Sequence, residues 1–358
     1  MSQLHSNQVR RNNFDVLRLL LAFSVFLSHS FPISGDASLR TLSIWANSAI
    51  AVQGFFVISG FLIFMSYDRS ASLSDYFRKR ALRIYPAYFA VVAGCALAGL
   101  FFSILPLAEY LGGRDLWVYL AANLTFLNYL HPTLPGVFTA NPMPIINGAL
   151  WTIKVEAMFY VSVPLLTWLF TRLPRLPVIA ALYVFGLAFH ALCLRSGHNS
   201  LAVQLPGQIQ FFLSGALLYF YQADFLRYAN RLIVPAVLVA ALELYMGWTV
   251  LFPLSIGIIV IYVALCMPVF NRFRPKWDLS YGFYIWHFPL LQTATFLGWF
   301  TNPVVGLVSS GVVTALAACL SWVGVERRFL KSRVLRAHPE HGAVVMQTQA
   351  QSTTERTV

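Results

Sequence analysis

The chain has 358 residues, of which 58% are hydrophobic and only 11% charged, with a formal net charge of +12. Soluble domains carry roughly 25% charged residues, so composition excludes an ordinary soluble protein and points to one built into a membrane. In a soluble chain the positive excess would suggest nucleic acid; here membrane orientation accounts for it, and no nucleic-acid partner follows.

Ten apolar runs are predicted to cross the membrane, at about 16–33, 44–66, 84–106, 149–171, 177–195, 206–221, 232–250, 251–270, 280–300 and 303–325. Most have the roughly 20-residue length that an α-helix needs to cross hydrocarbon, whereas barrel strands would be shorter and alternating. The expected fold is therefore all-α, a polytopic membrane bundle of about ten helices. The sixth run is short, and only "MGWTVLFPL" separates the seventh from the eighth. The run 116–130 is too short to span and reads as interfacial or re-entrant. Residues 1–13 form an N-terminal segment and 14–330 the membrane domain. The tail 331–358 is polar and is expected to be disordered at its end.

Charge sets the orientation. With the N-terminus inside and ten alternating spans, cytoplasmic segments hold 20 of the 25 Lys and Arg residues, and external segments hold only Arg40, Arg114 and Arg195. The remaining two, Arg18 and Lys154, lie within spans. The positive-inside rule then places both termini in the cytoplasm. "RRNNFDVL" faintly resembles a twin-arginine signal, but the run after it contains an arginine and lacks a small-residue cleavage site, so it reads as a retained first span. The four cysteines stand singly in apolar runs with no metal-ligand spacing, so neither a metal nor a disulfide is expected.

Four stretches carry polar groups into the apolar runs. In "RLLLAFSVFLSH", Arg18 and His29 are eleven residues apart, which is about 20° beyond three full turns and about 16 Å along the axis. With Ala22 and Val25 they form one stripe, suited to a protein interior or a water-filled cavity. Snorkelling of Arg18 and simple packing of His29 remain as blander readings. In "YFRKRALRIYP", Arg80 and Arg83 share a helical face and suit bidentate phosphate contacts, although a topogenic anchor or lipid contact would use the same residues. In "GALWTIKVEAMFY", Lys154 and Glu156 fall in the outer third of the fourth span, and Glu156 shares a face with Thr152 and Tyr160. The depth of Glu156 resembles that of His29, so the two could form an acid–base pair; an interhelical polar contact is the alternative. In "SYGFYIWHFPLL", His287 lies mid-membrane beside Trp286 and Tyr284. "GFFVISGFLI" signals close helix packing only. These residues suit either transport across a membrane or chemistry across it.

The same stretches, together with "LPGQIQFFLSGALL" and "SWVGVERRFL", occur in an order that resembles the acyltransferase family 3 proteins. These are integral membrane enzymes that acylate cell-envelope glycans, Nod factors and some antibiotics. The resemblance covers roughly residues 14 to 330. It implies a bacterial cytoplasmic-membrane enzyme that moves an acyl group, acetyl foremost, from cytoplasmic acyl-CoA to an extracytoplasmic or membrane-associated hydroxyl, with no permanently bound cofactor. By this resemblance, His29, Arg18 and Glu156 are the catalytic candidates, with His29 as general base or acyl carrier. Arg80 and Arg83 would meet the phosphates of coenzyme A. Trp151, Lys154, Tyr160 and His287 are candidates for the cavity or acceptor side, and segment 107–148 would face the acceptor. Thr152 and Lys154 depart from the serine and uncharged residue common in the family, which leaves the acceptor class open. A transporter or channel for a small anion or glycan precursor is the alternative, although no internal repeat is visible.

Overall fold

The computed structural model describes residues 12–267 and 277–330. The expected tail and most of the expected N-terminal segment lie outside these residues. Among the described residues there is no strand, only an isolated bridge between Ser103 and Val137.

In chain order, α1 is Phe14–Ser34, α2 Arg40–Ala46, α3 Ser48–Asp68, α4 Leu73–Phe102, α5 Leu107–Gly112 and α6 Arg114–Leu124. Then follow α7 Trp151–Arg172, α8 Arg175–Arg195, α9 Asn199–Ala202, α10 Leu205–Phe220 and α11 Gln222–Met246. The last are α12 Phe252–Cys266, α13 Ser280–Phe296 and α14 Pro303–Ser321, the last running into a π-helical turn, Trp322–Glu326. Among the described residues, eight helical segments are long and apolar enough to cross a membrane. The other two predicted runs correspond to α12 and α13, of 15 and 17 residues.

Three boundaries differ from expectation, each for a local reason. The second run is broken at Asn47, whose φ of 32° turns the chain while its side chain accepts from the Ile50 amide and caps α3. The third span, α4, begins at Leu73, capped by the Ser72 hydroxyl, which accepts from the Asp75 amide. The basic cluster is therefore helical and continuous with the span. The run 116–130 is helical only to Leu124, and α6 lies along α4, where the Tyr88 hydroxyl donates to the Asn123 carbonyl at 2.7 Å.

Helices α3 and α10 are the two most enclosed spans, and they pack most extensively on each other. The two cross at glycine. A Cβ on Gly60 would fall 1.9 Å from the Phe212 carbonyl oxygen, and one on Gly215 would fall 1.9 Å from that of Val57. Backbones this close admit no side chain between them. Gly60→Ala or Gly215→Ala is expected to cost about 1–3 kcal/mol, as overpacking does. The measure is a lowered thermal midpoint in detergent, with Gly112→Ala as the silent control, since its Cβ would meet nothing within 4 Å.

The segment before α7 does not lie over the bundle but enters it. Asn141 donates to both the backbone and side-chain oxygens of Gln292 on α13. The Gln292 amide donates in turn to the Met143 and Ile145 carbonyls. Asn147 donates to the Ile285 carbonyl at 2.9 Å. These side chains satisfy irregular backbone that could not otherwise be buried among helices. The first turn of α7 therefore sits partway down α13, level with Ile285 to Phe288.

At the opposite end, Asp15, Asp278 and Glu326 all lie within electrostatic reach of Arg83. The first and last spans thus begin and end on the same face of the bundle.

Candidate functional site

Helices α1 and α13 pack side by side and bring two histidines together. Nδ1 of His29 lies 2.9 Å from Nε2 of His287. The rings are nearly parallel, at 5°, with centroids 5.2 Å apart. His29 is half-buried and His287 wholly buried. The edge of Phe288 packs against both rings, and Phe288 is itself wedged against Gly148, where a Cβ would fall 2.7 Å from its ring. The inserted segment therefore presses on the histidine pair. The stripe predicted on α1 faces inward as expected, with Ala22 and Val25 fully buried between Arg18 and His29.

Towards the arginine end, Arg18, Arg83 and Glu156 line a cleft together with Ser59, Tyr281 and Tyr284. Arg83 pairs with Asp278 at 2.5 Å, and Asp278 also accepts from the Ser280 hydroxyl at 2.7 Å. Burial pushes the Asp278 carboxyl up, but the Arg83 and Arg18 guanidinium groups more than offset this and hold it well below the usual carboxylate range. Arg18 has no hydrogen-bonded partner among the described residues, so its donors stay available to whatever enters the cleft. Glu156 accepts from the Tyr160 hydroxyl at 2.7 Å. The cleft's lining ends at Thr152 and Tyr284, whose hydroxyls are 2.8 Å apart. The histidine pair lies one turn farther along α13.

Arg80 does not line this cleft. Its guanidinium donates to the Ser66 hydroxyl at 2.9 Å and sits 5.6 Å from the centre of the Tyr160 ring, while its buried Nε has no partner. Arg80 and Arg83 share a face of α4 as their spacing predicts, and Tyr160 stands between the Arg80 head and Glu156.

The expected His29–Glu156 contact is not formed. Glu156 reaches the depth of His29 only if α7 starts at the outer surface, as the apolar run alone predicts. The inserted segment sinks that start, and Glu156 falls a further turn towards the arginines, beside Tyr160 and near Tyr281. The Lys154 ammonium lies 4.5 Å over the Tyr129 ring and makes no ion pair with Glu156. Trp151, half-buried, packs against the core at the head of α7.

Both histidines stand out in the sequence but their contact does not, nor do Asp278, Ser59, Tyr281 or the positional role of Tyr284. One signal was present. Tyr281, Tyr284 and His287 recur every three residues, which puts them on one helical face.

The geometry can be set beside known proteins. The family model described as Acyltransferase domain, the acyltransferase family 3 model, matches residues 11–323. Nodulation protein 10 of Rhizobium leguminosarum bv. viciae is 30% identical, covering 90% of this chain and 94% of that protein. The O-acetyl transferase of Shigella phage Sf6 is 26% identical, covering 90% of this chain and 96% of that protein. No solved structure matches.

Proposed function

The chain belongs to acyltransferase family 3 and is an integral membrane acyltransferase, and we propose that it carries an acetyl group from cytoplasmic acetyl-CoA to a hydroxyl of an envelope or exported glycan. The supporting observation is the polar axis of the bundle: an arginine-lined cleft at one end of α1 and α13, and a histidine pair beyond its inner limit. Arginine forks suit the phosphates of an acyl-CoA. A neutral imidazole suits the removal of a hydroxyl proton at neutral pH. Thr152 and Tyr284 stand between the two, where a thioester and an acceptor would meet. The relatives support an oxygen acceptor, since one of them is named as an O-acetyl transferase. The excess of Lys and Arg at the arginine end supports a cytoplasmic position for that face, in the bacterial inner membrane.

In this reading His29 is the general base. Arg18 and Arg83 hold the donor within the cleft, and Arg80 meets it at the mouth. Glu156, fixed by Tyr160, faces the cleft rather than the base, so its part is to set the charge around the donor. Lys154, Tyr129 and Trp151 form the acceptor-side rim.

Sealed membrane vesicles of known orientation test the sidedness. With labelled acetyl-CoA outside and envelope glycan supplied, inside-out vesicles are expected to form alkali-labile ester and right-side-out vesicles are not. Equal labelling in both orientations, or ester formation independent of acyl-CoA, would overturn the reading.

A further inference from the structure

Hydrogen-bond bookkeeping across the histidine pair fixes where each proton sits. Nδ1 of His287 lies 2.5 Å from the Tyr284 carbonyl oxygen. A carbonyl only accepts, so Nδ1 of His287 carries the hydrogen. A neutral imidazole has one N–H, which leaves its Nε2 as a bare acceptor. That nitrogen faces Nδ1 of His29 at 2.9 Å. One hydrogen must lie between them, and it can come only from His29. The near-parallel rings with centroids 5.2 Å apart place this contact edge to edge, in line with the ring nitrogens. A charged His287 would reverse the assignment. However, His287 is wholly buried, between the rings of Tyr284 and Phe288, where an unpaired charge is costly.

We infer that His287 is a positioning residue that holds His29 in its Nδ1–H tautomer and so leaves Nε2 of His29 as the basic nitrogen. His29 Nε2 has no hydrogen-bond partner among the described residues, so it is the nitrogen left to receive an acceptor hydroxyl. The role for this nitrogen rests on the assignment of His29 as base; the tautomer does not. In the transfer step the hydroxyl proton moves to His29 Nε2 as the hydroxyl oxygen bonds to the thioester carbonyl carbon. The resulting imidazolium keeps its Nδ1–H on His287 Nε2, so its charge is shared with a second ring whose far N–H points at a carbonyl. The C–S bond breaks, and the departing thiolate recovers the proton from Nε2. Nothing is oxidised or reduced, and both histidines return to their starting tautomers.

Two variants separate orientation from bulk. In His287→Gln the side-chain carbonyl can take the place of Nε2 and accept from His29 Nδ1. In His287→Ala no acceptor remains. His287→Ala is expected to lose about 10²-fold or more in rate, the usual worth of a placed general base. His287→Gln is expected to stay within about tenfold of wild type, because the hydrogen bond that selects the tautomer survives. The independent measurement is nitrogen NMR of the ¹⁵N-histidine-labelled full chain in nanodiscs, with the His29 signals assigned by their loss in His29→Gln. Wild type and His287→Gln should show His29 protonated at Nδ1, and His287→Ala should shift it towards Nε2. A wild-type His29 protonated at Nε2 overturns the inference, as do folded Gln and Ala variants with equal rates. If His29→Ala retains acyl transfer while wild-type His29 is protonated at Nδ1, the base assignment fails and the tautomer assignment stands.

Discussion

His29→Ala is expected to lower acyl transfer by about 10²- to 10⁴-fold, the range that a general base contributes, while the protein still inserts and folds. The two effects separate because the residue sits at a half-buried contact rather than in the core. Its removal leaves Nε2 of His287 without a donor, and an unsatisfied buried group costs about 1–3 kcal/mol. The bundle is held elsewhere, by the glycine crossing of α3 on α10 and by the side chains that seat the inserted segment on α13. Loss of stability therefore cannot account for a loss of activity on that scale. Membranes carrying equal amounts of wild-type and variant protein, given labelled acetyl-CoA and envelope glycan, provide the measurement. Equal ester formation by the two would remove His29 from the chemistry.

The helices were legible in the sequence because apolar length is a strong and local signal. A helical run of about 20 apolar residues matches the thickness of the hydrocarbon core. Arg18 and His29 were placed on one inward stripe by arithmetic that depends only on a regular helix, and α1 is regular over that interval. What the sequence hid is what depends on how far one helix slides past another. The depth of Glu156 was counted from an assumed surface at residue 149. The chain instead carries polar irregular backbone down beside α13 before α7 begins, and Asn141, Asn147 and Gln292 satisfy it. Those amides look unremarkable in sequence, since each is a single polar residue whose partner lies about 140 to 150 positions away. The histidine contact was hidden for the same reason. Each histidine could be named from its own run, but the register of α1 on α13 had to be known to join them. Asp278 stands at the head of a predicted span, where a carboxylate also reads as a helix-terminal residue. Only the fold shows that it faces an arginine 195 positions earlier.

Asp278 bears on how the donor site must be tested. Arg83→Ala is expected to weaken coenzyme A binding, but it also strips the partner from a largely buried carboxylate. Breaking such a pair costs about 3–5 kcal/mol, because an uncompensated charge remains. A poorly folded Arg83→Ala protein would bind donor weakly whatever the role of the arginine. The double variant Arg83→Ala with Asp278→Asn removes the charge and keeps an oxygen to accept from Ser280. It is expected to recover most of the thermal midpoint while coenzyme A affinity stays reduced. Removing one charge-assisted hydrogen bond to the donor, worth about 1.5–3 kcal/mol, corresponds to roughly a 10- to 100-fold weakening at low salt. Wild-type affinity in the double variant would move the phosphate site away from Arg83. The same ion pair sets a pH expectation. Because Asp278 is held below its ordinary value in the folded protein, its stabilising contribution is present above its unfolded pKa. It is lost only as pH falls through the lower, folded one. Asp278 therefore adds little slope to folding stability above about pH 5, and its contribution fades only in stronger acid. In the double variant, where no carboxylate remains at this position, the fading in acid should disappear. Comparing thermal midpoints of the two proteins across that range reads out the ion pair directly, without any donor present.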